Sequence, residues 1–257
     1  MLKMTFLSFR LLSLVYLLIP LSVFADNKTT LVIGYGDHNA APYTIESGEE
    51  LQDGIIKDIA KEISAEIGIN ITFVKTPRKR TERNLLNDDI HLVLLSNPAW
   101  LSNKKLRWSE TLFTQKDVMV VRADNPKKYN QISDFKGMVI GTIRGYTYTS
   151  LDPYFEKDQL IRYDVSNLQV NLIRLDLNRI DALVDAEMLI NYQLKQSKNA
   201  DNFKVLPLIV SQDNLKAVLS PNAPITMKQL NQTLQKLKDQ GVIAAILKKY
   251  HREDSAP

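Results

Sequence analysis

Residues 31–74 constrain this chain more than any other stretch, because they read as strand, helix and strand in one unit. Residues 31–35 are an apolar strand, and 36–43 form a polar and aromatic turn. The helix that follows carries Ile56, Ile59, Ala60, Ile63 and Ile67 at steps of three and four, with Lys57, Asp58, Lys61, Glu62 and Glu66 on the other side. That spacing buries one helical face, and Gly68 closes the helix. Ile69, Ile71 and Phe73 then alternate with Asn70, Thr72 and Val74, the period of a strand. A strand returned by a helix pairs in parallel, with a right-handed crossover.

The alternation continues. A helix is expected at 78–87, a buried strand at 90–95 and a strand at 117–122, followed by the turn-rich Ala123-Asp124-Asn125-Pro126-Lys127. Strands follow at 138–140, 161–163, 182–184 and 203–206, with helices at 146–155, 168–177 and 187–196. A strand at 216–219 could cross back before Pro221 and Pro224 punctuate the entry to two terminal helices. The fold class is α/β, each of two lobes a mainly parallel sheet flanked by helices. The divisions expected are 26–122 for the first lobe, 123–210 for the second and 211–257 for a return to the first, with crossings at 122–123 and 211–216.

Residues 1–25 read as a cleavable signal peptide. Lys3 and Arg10 precede a nearly unbroken apolar run, and Ala25 offers a small residue at the cut. Export to the periplasm is the expectation. The chain has no Cys, which excludes a lipid-anchored form, disulfides and thiolate metal sites. The leader takes two of the 33 basic residues, leaving 31 against 29 acidic ones, so no nucleic-acid footprint exists. The one dense basic run, at 75–83, reads as a solvated helix start. His38, His91 and His251 share no spacing that would build a metal site, and no cofactor is expected.

Several segments together resemble one family. They are Gly54-Ile55-Ile56-Lys57-Asp58-Ile59, where Ile55 and Ile56 replace an aromatic and an acidic residue; Trp108-Ser109-Glu110, similar to a turn; and Asp134-Phe135-Lys136-Gly137-Met138-Val139-Ile140-Gly141, similar to the entry to a second lobe. Arg179-Ile180-Asp181-Ala182-Leu183-Val184-Asp185 and the helices at 230–250 complete the order. The chain resembles the bacterial family 3 extracellular solute-binding proteins, the polar amino-acid receptor group. The resemblance implies a type II periplasmic-binding-protein-like fold of two hinged lobes that clamp a small polar molecule. It implies a monomer that serves an ABC permease or a membrane sensor and catalyses nothing. A dehydratase-like enzyme on the same fold is the alternative.

Ligands of such folds sit at the carboxyl ends of parallel strands and between lobes. That places Asp37 and Tyr43 after the first strand, Ser96, Asn97 and Trp100 after the third, Thr142, Arg144, Tyr146 and Thr147 after the second lobe's first strand, and Asp185 after a later one. Gly141-Thr142-Ile143-Arg144-Gly145-Tyr146-Thr147, with a helix starting beside it, would suit an anion. Asp185 has two readings: an N-cap for the helix after it, or, as the resemblance implies, the acid that holds a ligand ammonium. The arginine with which amino-acid receptors hold a carboxylate would fall near Ser102, where none exists. Arg80, in Pro77-Arg78-Lys79-Arg80, is the expected substitute, with Lys104 and Lys105 as others.

Overall fold

The computed structural model describes residues 29–36 and 39–251; the expected leader lies outside them. Strand β1 (Thr30–Tyr35) leads through a small hairpin, β2 (Ile45–Ser47) and β3 (Glu50–Asp53), into helix α1 (Ile55–Ile67) and strand β4 (Asn70–Lys75). β4 pairs in parallel with β1, Thr30 opposite Asn70 through Tyr35 opposite Lys75. Ile55, Ile56, Ile59, Ala60 and Ile63 of α1 are buried, each isoleucine contributing about 1.5 to 3 kcal/mol by leaving water. Gly54 starts the helix at φ 119°, where a Cβ would meet the Tyr43 carbonyl oxygen at 2.7 Å. Gly68 ends it in the left-handed region at φ 74°.

Helix α2 (Arg78–Leu86), β5 (Leu92–Ser96) and the long strand β6 (Arg107–Arg122) follow. Then come β7 (Val139–Ile143), α3 (Asp152–Phe155), β8 (Ile161–Val165), α4 (Leu168–Asp176), β9 (Ala182–Ala186) and α5 (Glu187–Gln196). The chain closes with β10 (Phe203–Leu219), α6 (Met227–Asp239) and α7 (Val242–Tyr250). Eight strands form one sheet in the order β4-β1-β5-β10-β6-β9-β7-β8. β1 with β4 and β5, and β7 with β8 and β9, pair in parallel; β10 and β6 run antiparallel to each other and to their flanking strands.

The buried side chains form four clusters that fall into two groups, one around β1, β5, α1, α6 and α7 and the other around β7, β9, α4 and α5. Helix α5 touches both, since its Met188, Leu189 and Tyr192 pack against the first. Each long central strand serves both. On β6, Trp108 and Leu112 pack in the first group and residues 118–121 in the second. On β10, Phe203, Leu206 and Val210 pack in the second, and Leu215 and residues 217–219 in the first. Between these stretches lie two polar quartets, residues 114–117 and 211–214, paired from Thr114 opposite Asn214 to Asp117 opposite Ser211. The result is two packed bodies joined by polar strand segments and by α5.

Three expectations needed correction. The helix at 146–155 shrinks to Asp152–Phe155, because Pro153 sits in its first turn and in a longer helix would clash with the turn before it. The upstream segment instead wraps Tyr148, whose ring is buried and whose hydroxyl accepts the N–H of Ile143 at 2.9 Å. The strands at 203–206 and 216–219 are one 17-residue strand, with pairing shifted between Val205 and Ile209 around Pro207; a bulge is where a strand tolerates proline. Trp108-Ser109-Glu110, expected as a turn, lies inside β6. The β2–β3 hairpin was not anticipated; Gly48 makes its turn at φ 63°.

Candidate functional site

The polar quartet of β6, flanked by that of β10, meets the end of β9. Val118 stands opposite Asp185, and Asp117 opposite Ala186. Asp185 is 7 % exposed. Its Oδ1 accepts the N–H of Ala186 at 2.8 Å, and it takes no other hydrogen bond among the described residues. Burial pushes its carboxyl up to about 7, a shift the Ala186 N–H opposes and the charge of Asp117 adds to. Ala186 is the N-cap of α5 and receives no side-chain cap. The capping role of Asp185 is therefore not what the structure shows, since a cap would take an N–H two or three residues further on.

Asp117 is also raised by burial, against hydrogen bonds from Ser211 Oγ at 2.6 Å and Gln115 Nε2 at 3.4 Å. Asp213 accepts Asn97 Nδ2 at 3.1 Å. Tyr43, after β1, donates its hydroxyl to Gln115 Oε1 at 2.6 Å. The hydroxyls of Tyr43, Tyr146 and Tyr148 are all raised, by burial first and then by the charge of Asp185, with Asp117 adding in the same direction. Arg78, at the start of α2, opposes the shift on Tyr146. The charge of Asp185 thus reaches tyrosines of both packed bodies.

Arg78 lies 5.4 Å over the ring of Trp100, which is 39 % exposed. The two share a shallow pocket with Thr81, Ser96 and Leu101. Leu95 turns the chain into this pocket at φ 55°, a left-handed conformation that costs a branched side chain about 1 to 2 kcal/mol. A larger cavity lies elsewhere, between α4 and α5. Its acid, Asp176, is already bonded to Asn202 at 2.7 Å and Asn199 at 3.4 Å.

Of the residues expected at the site, Ser96 and Trp100 line the pocket beside Arg78, Tyr43 and Asn97 bond to Gln115 and Asp213 of the quartets, Asp185 is buried in β9, and Tyr146 is 43 % exposed. Thr142 is fully buried and donates to Asp164 at 2.8 Å across the β7–β8 pair. Arg144 and Thr147 are exposed, and Arg144 acts on Asp164. No helix begins beside Gly141–Thr147, so the dipole expected for an anion there is missing. Arg80 is exposed, while its neighbour Arg78 makes the aromatic contact. Near Ser102, Glu82 takes the N–H of Ser102 at 2.6 Å and of Asn103 at 3.2 Å; an acid occupies the donors there. Asp37 lies outside the described residues. Gln115, Asp117, Ser211 and Asp213 were not anticipated as site residues; their signal was the pair of polar quartets within otherwise apolar strands, while Arg78 was named only as part of Pro77-Arg78-Lys79-Arg80. Among the described residues no cluster of His, Asp or Glu could hold a metal.

The site can hold a cation at Asp185, ring faces at Tyr43, Trp100 and Tyr146, and polar groups at the quartets. No curated protein matches the sequence. Several solved structures share its fold. The GluR0 ligand-binding core in complex with L-glutamate superposes with a TM-score of 0.71 at 16 % identity, over 88 % of this chain and 99 % of that one. An ancestral cationic amino acid solute-binding protein gives 0.71 at 19 % identity, over 87 % and 96 %. The unliganded open L-cystine receptor of Neisseria gonorrhoeae gives 0.67 at 18 % identity, over 90 % and 97 %. The profile of bacterial extracellular solute-binding proteins, family 3, matches residues 31–253. With the two-body fold and the acid between the bodies in place, that match over nearly the whole described chain identifies it as a member of the family 3 bacterial extracellular solute-binding proteins.

Proposed function

We propose that the protein is a periplasmic receptor that clamps a small organic ligand bearing a cationic group and hands it to an ABC permease. The observation that carries this reading is Asp185: a buried carboxylate with one backbone hydrogen bond, raised by desolvation and waiting for a counter-charge. A ligand ammonium supplies it, and the tyrosines and Trp100 offer faces on which a cation or a planar group rests. Export by a cleaved leader at 1–25 belongs to the same reading. The solved relatives described as amino-acid receptors support the ligand class.

In this reading the two bodies close on the ligand about the polar quartets at 114–117 and 211–214, with the first crossing inside β6; the paired polar residues there support it. Arg78 and Trp100 come from one side of the cleft and Tyr146 and Asp185 from the other. A thermal-shift screen of amines and amino acids on refolded, ligand-stripped protein tests the reading: a binder of the native state raises the melting temperature. Binding confined to anions would contradict it.

A carboxyl near neutrality also suits proton transfer, the one observation that favours a dehydratase-like reaction. One solved relative at 19 % identity is described as an ancestral amino acid-binding precursor of cyclohexadienyl dehydratase. Mass spectrometry on a confirmed ligand separates the two. Recovery of the ligand intact keeps the binding reading; product forming in proportion to protein replaces it.

A further inference from the structure

The eight-stranded sheet ends at β8, and exposed apolar side chains gather there. Ile161 is 52 % exposed and Tyr163 stands beside it. Arg174 of α4 lies 4.7 Å over the Tyr163 ring, and the same helix exposes Ile173 and Leu177. Ile161 N donates to Met138 O at 2.9 Å, and Val165 O accepts from Arg144 N at 2.9 Å. Residues 161, 163 and 165 thus turn their main-chain groups toward β7. In a parallel ladder the intervening residues face the other way. The N–H and C=O of Arg162 and Asp164 therefore point out of the open edge.

We propose that this edge pairs with the same edge of a second copy of the chain, antiparallel about a two-fold axis at Tyr163. In that register Arg162 of each copy stands opposite Asp164 of the other. Among the described residues the main-chain groups of these two have no strand partner on that side, so each becomes a mutually hydrogen-bonded pair with opposite side-chain charges. Ile161 meets Val165, and Tyr163 meets its own copy, on the face that α4 covers. Within each chain, Arg162 is already held by Asp164 at 3.0 Å and the Tyr146 carbonyl at 2.8 Å. Its side chain lies on the opposite face, against the rings of Tyr148 and Phe155. Two copies thus form an alternating row of four charges on one face and an apolar cluster on the other. Self-complementarity of this kind is what a two-fold interface requires.

The other end of the sheet has no such match. β4 carries one charge, Lys75, which pairs with Glu46 at 2.6 Å. The dimer replaces the monomer that the family resemblance implies. It engages only the outer edge of the second body, so the first remains free to swing.

The absence of cysteine allows a direct test. Facing residues of a non-hydrogen-bonded antiparallel pair have Cα atoms about 4.5 Å apart, within disulfide reach. Tyr163→Cys should form a covalent dimer under mild oxidation, while Val74→Cys, exposed on β4, should stay single. In sedimentation velocity the leaderless protein should run as a dimer. Tyr163→Glu keeps an intrachain partner in Arg174 but sets two carboxylates face to face across the axis. It should run as a monomer with an unchanged circular-dichroism spectrum, and its melting temperature should lose the concentration dependence that a dimer gives the wild type. A leaderless protein that stays monomeric up to about 100 µM overturns the proposal, whatever else the edge then binds. So does crosslinking of Tyr163→Cys no greater than that of Val74→Cys, or a dimer that survives Tyr163→Glu.

Discussion

The hydroxyl of Tyr43 donates to Oε1 of Gln115 at 2.6 Å, tying the loop after β1 to the polar quartet of β6. Tyr43 is buried against the first core group, and Gln115 also reaches Asp117. One hydrogen bond therefore connects the packing of the first body to the acids between the two.

Tyr43→Phe keeps the ring and removes that bond. Stability should fall by about 1 kcal/mol in urea denaturation with an unchanged slope, and ligand affinity should fall with it. Loss of stability with full affinity would make the bond structural only.

Arg78 rests on Trp100 and acts on Tyr146, whereas Arg80, exposed like Arg78, makes no ion pair among the described residues. Arg78→Ala should weaken a bound ligand measurably by calorimetry, and Arg80→Ala should leave it within error. The reverse order would make Arg80 the site residue.

Gly141 lies where α4 packs closest to β7. A Cβ there would strike Asn171 Oδ1 and come within 2.6 Å of Ile180 Cδ1. Gly141→Ala should lower stability by about 1 to 3 kcal/mol through overpacking, read as a lower melting temperature. An unchanged melting temperature would mean that α4 shifts freely.

Much of the frame was legible because its residues obey one local rule each. The isoleucine spacing of α1 and the alternation of β4 placed the first unit, and Gly68 marked where α1 stops. Pro153 and Pro207 are where local reading failed, one by breaking a helix the apolar spacing suggested, the other by being absorbed in a bulge. The site was less legible. Tyr43 and Trp100 follow strands and Asp185 lies at the end of β9, so all three could be placed from strand ends alone. Asp117, Gln115 and Asp213 lie in the middle of long strands, where their role depends on which strands sit side by side, a non-local fact. Arg78 and Arg80 differ only in which side of one helical turn faces Trp100.

Asp185 carries a pH signature. Its folded pKa, about 7, lies above the ordinary carboxylate value, so between about pH 4 and 7 the folded state holds a proton that the unfolded state releases. Its contribution to ligand-free stability is therefore full at low pH and is lost as pH rises through that window, with Asp117 shifted in the same direction. Asp185→Asn removes the dependence and should be more stable than the wild type at pH 8 by about 2 to 4 kcal/mol, with little difference at pH 4. Guanidinium titrations of both proteins at the two pH values check the sign.

The central claim, that Asp185 receives a ligand cation, is tested most directly by calorimetry of wild type and Asp185→Asn across pH 5.5 to 8, using the tightest binder from the amine and amino-acid screen. A cation selects the ionised carboxylate, so wild-type affinity should rise with pH, by at most about tenfold per unit below 7, and level off above it. Asp185→Asn should bind about 2 to 5 kcal/mol more weakly at pH 8, with little pH dependence. Equal affinity of the two proteins at pH 8 would contradict the claim.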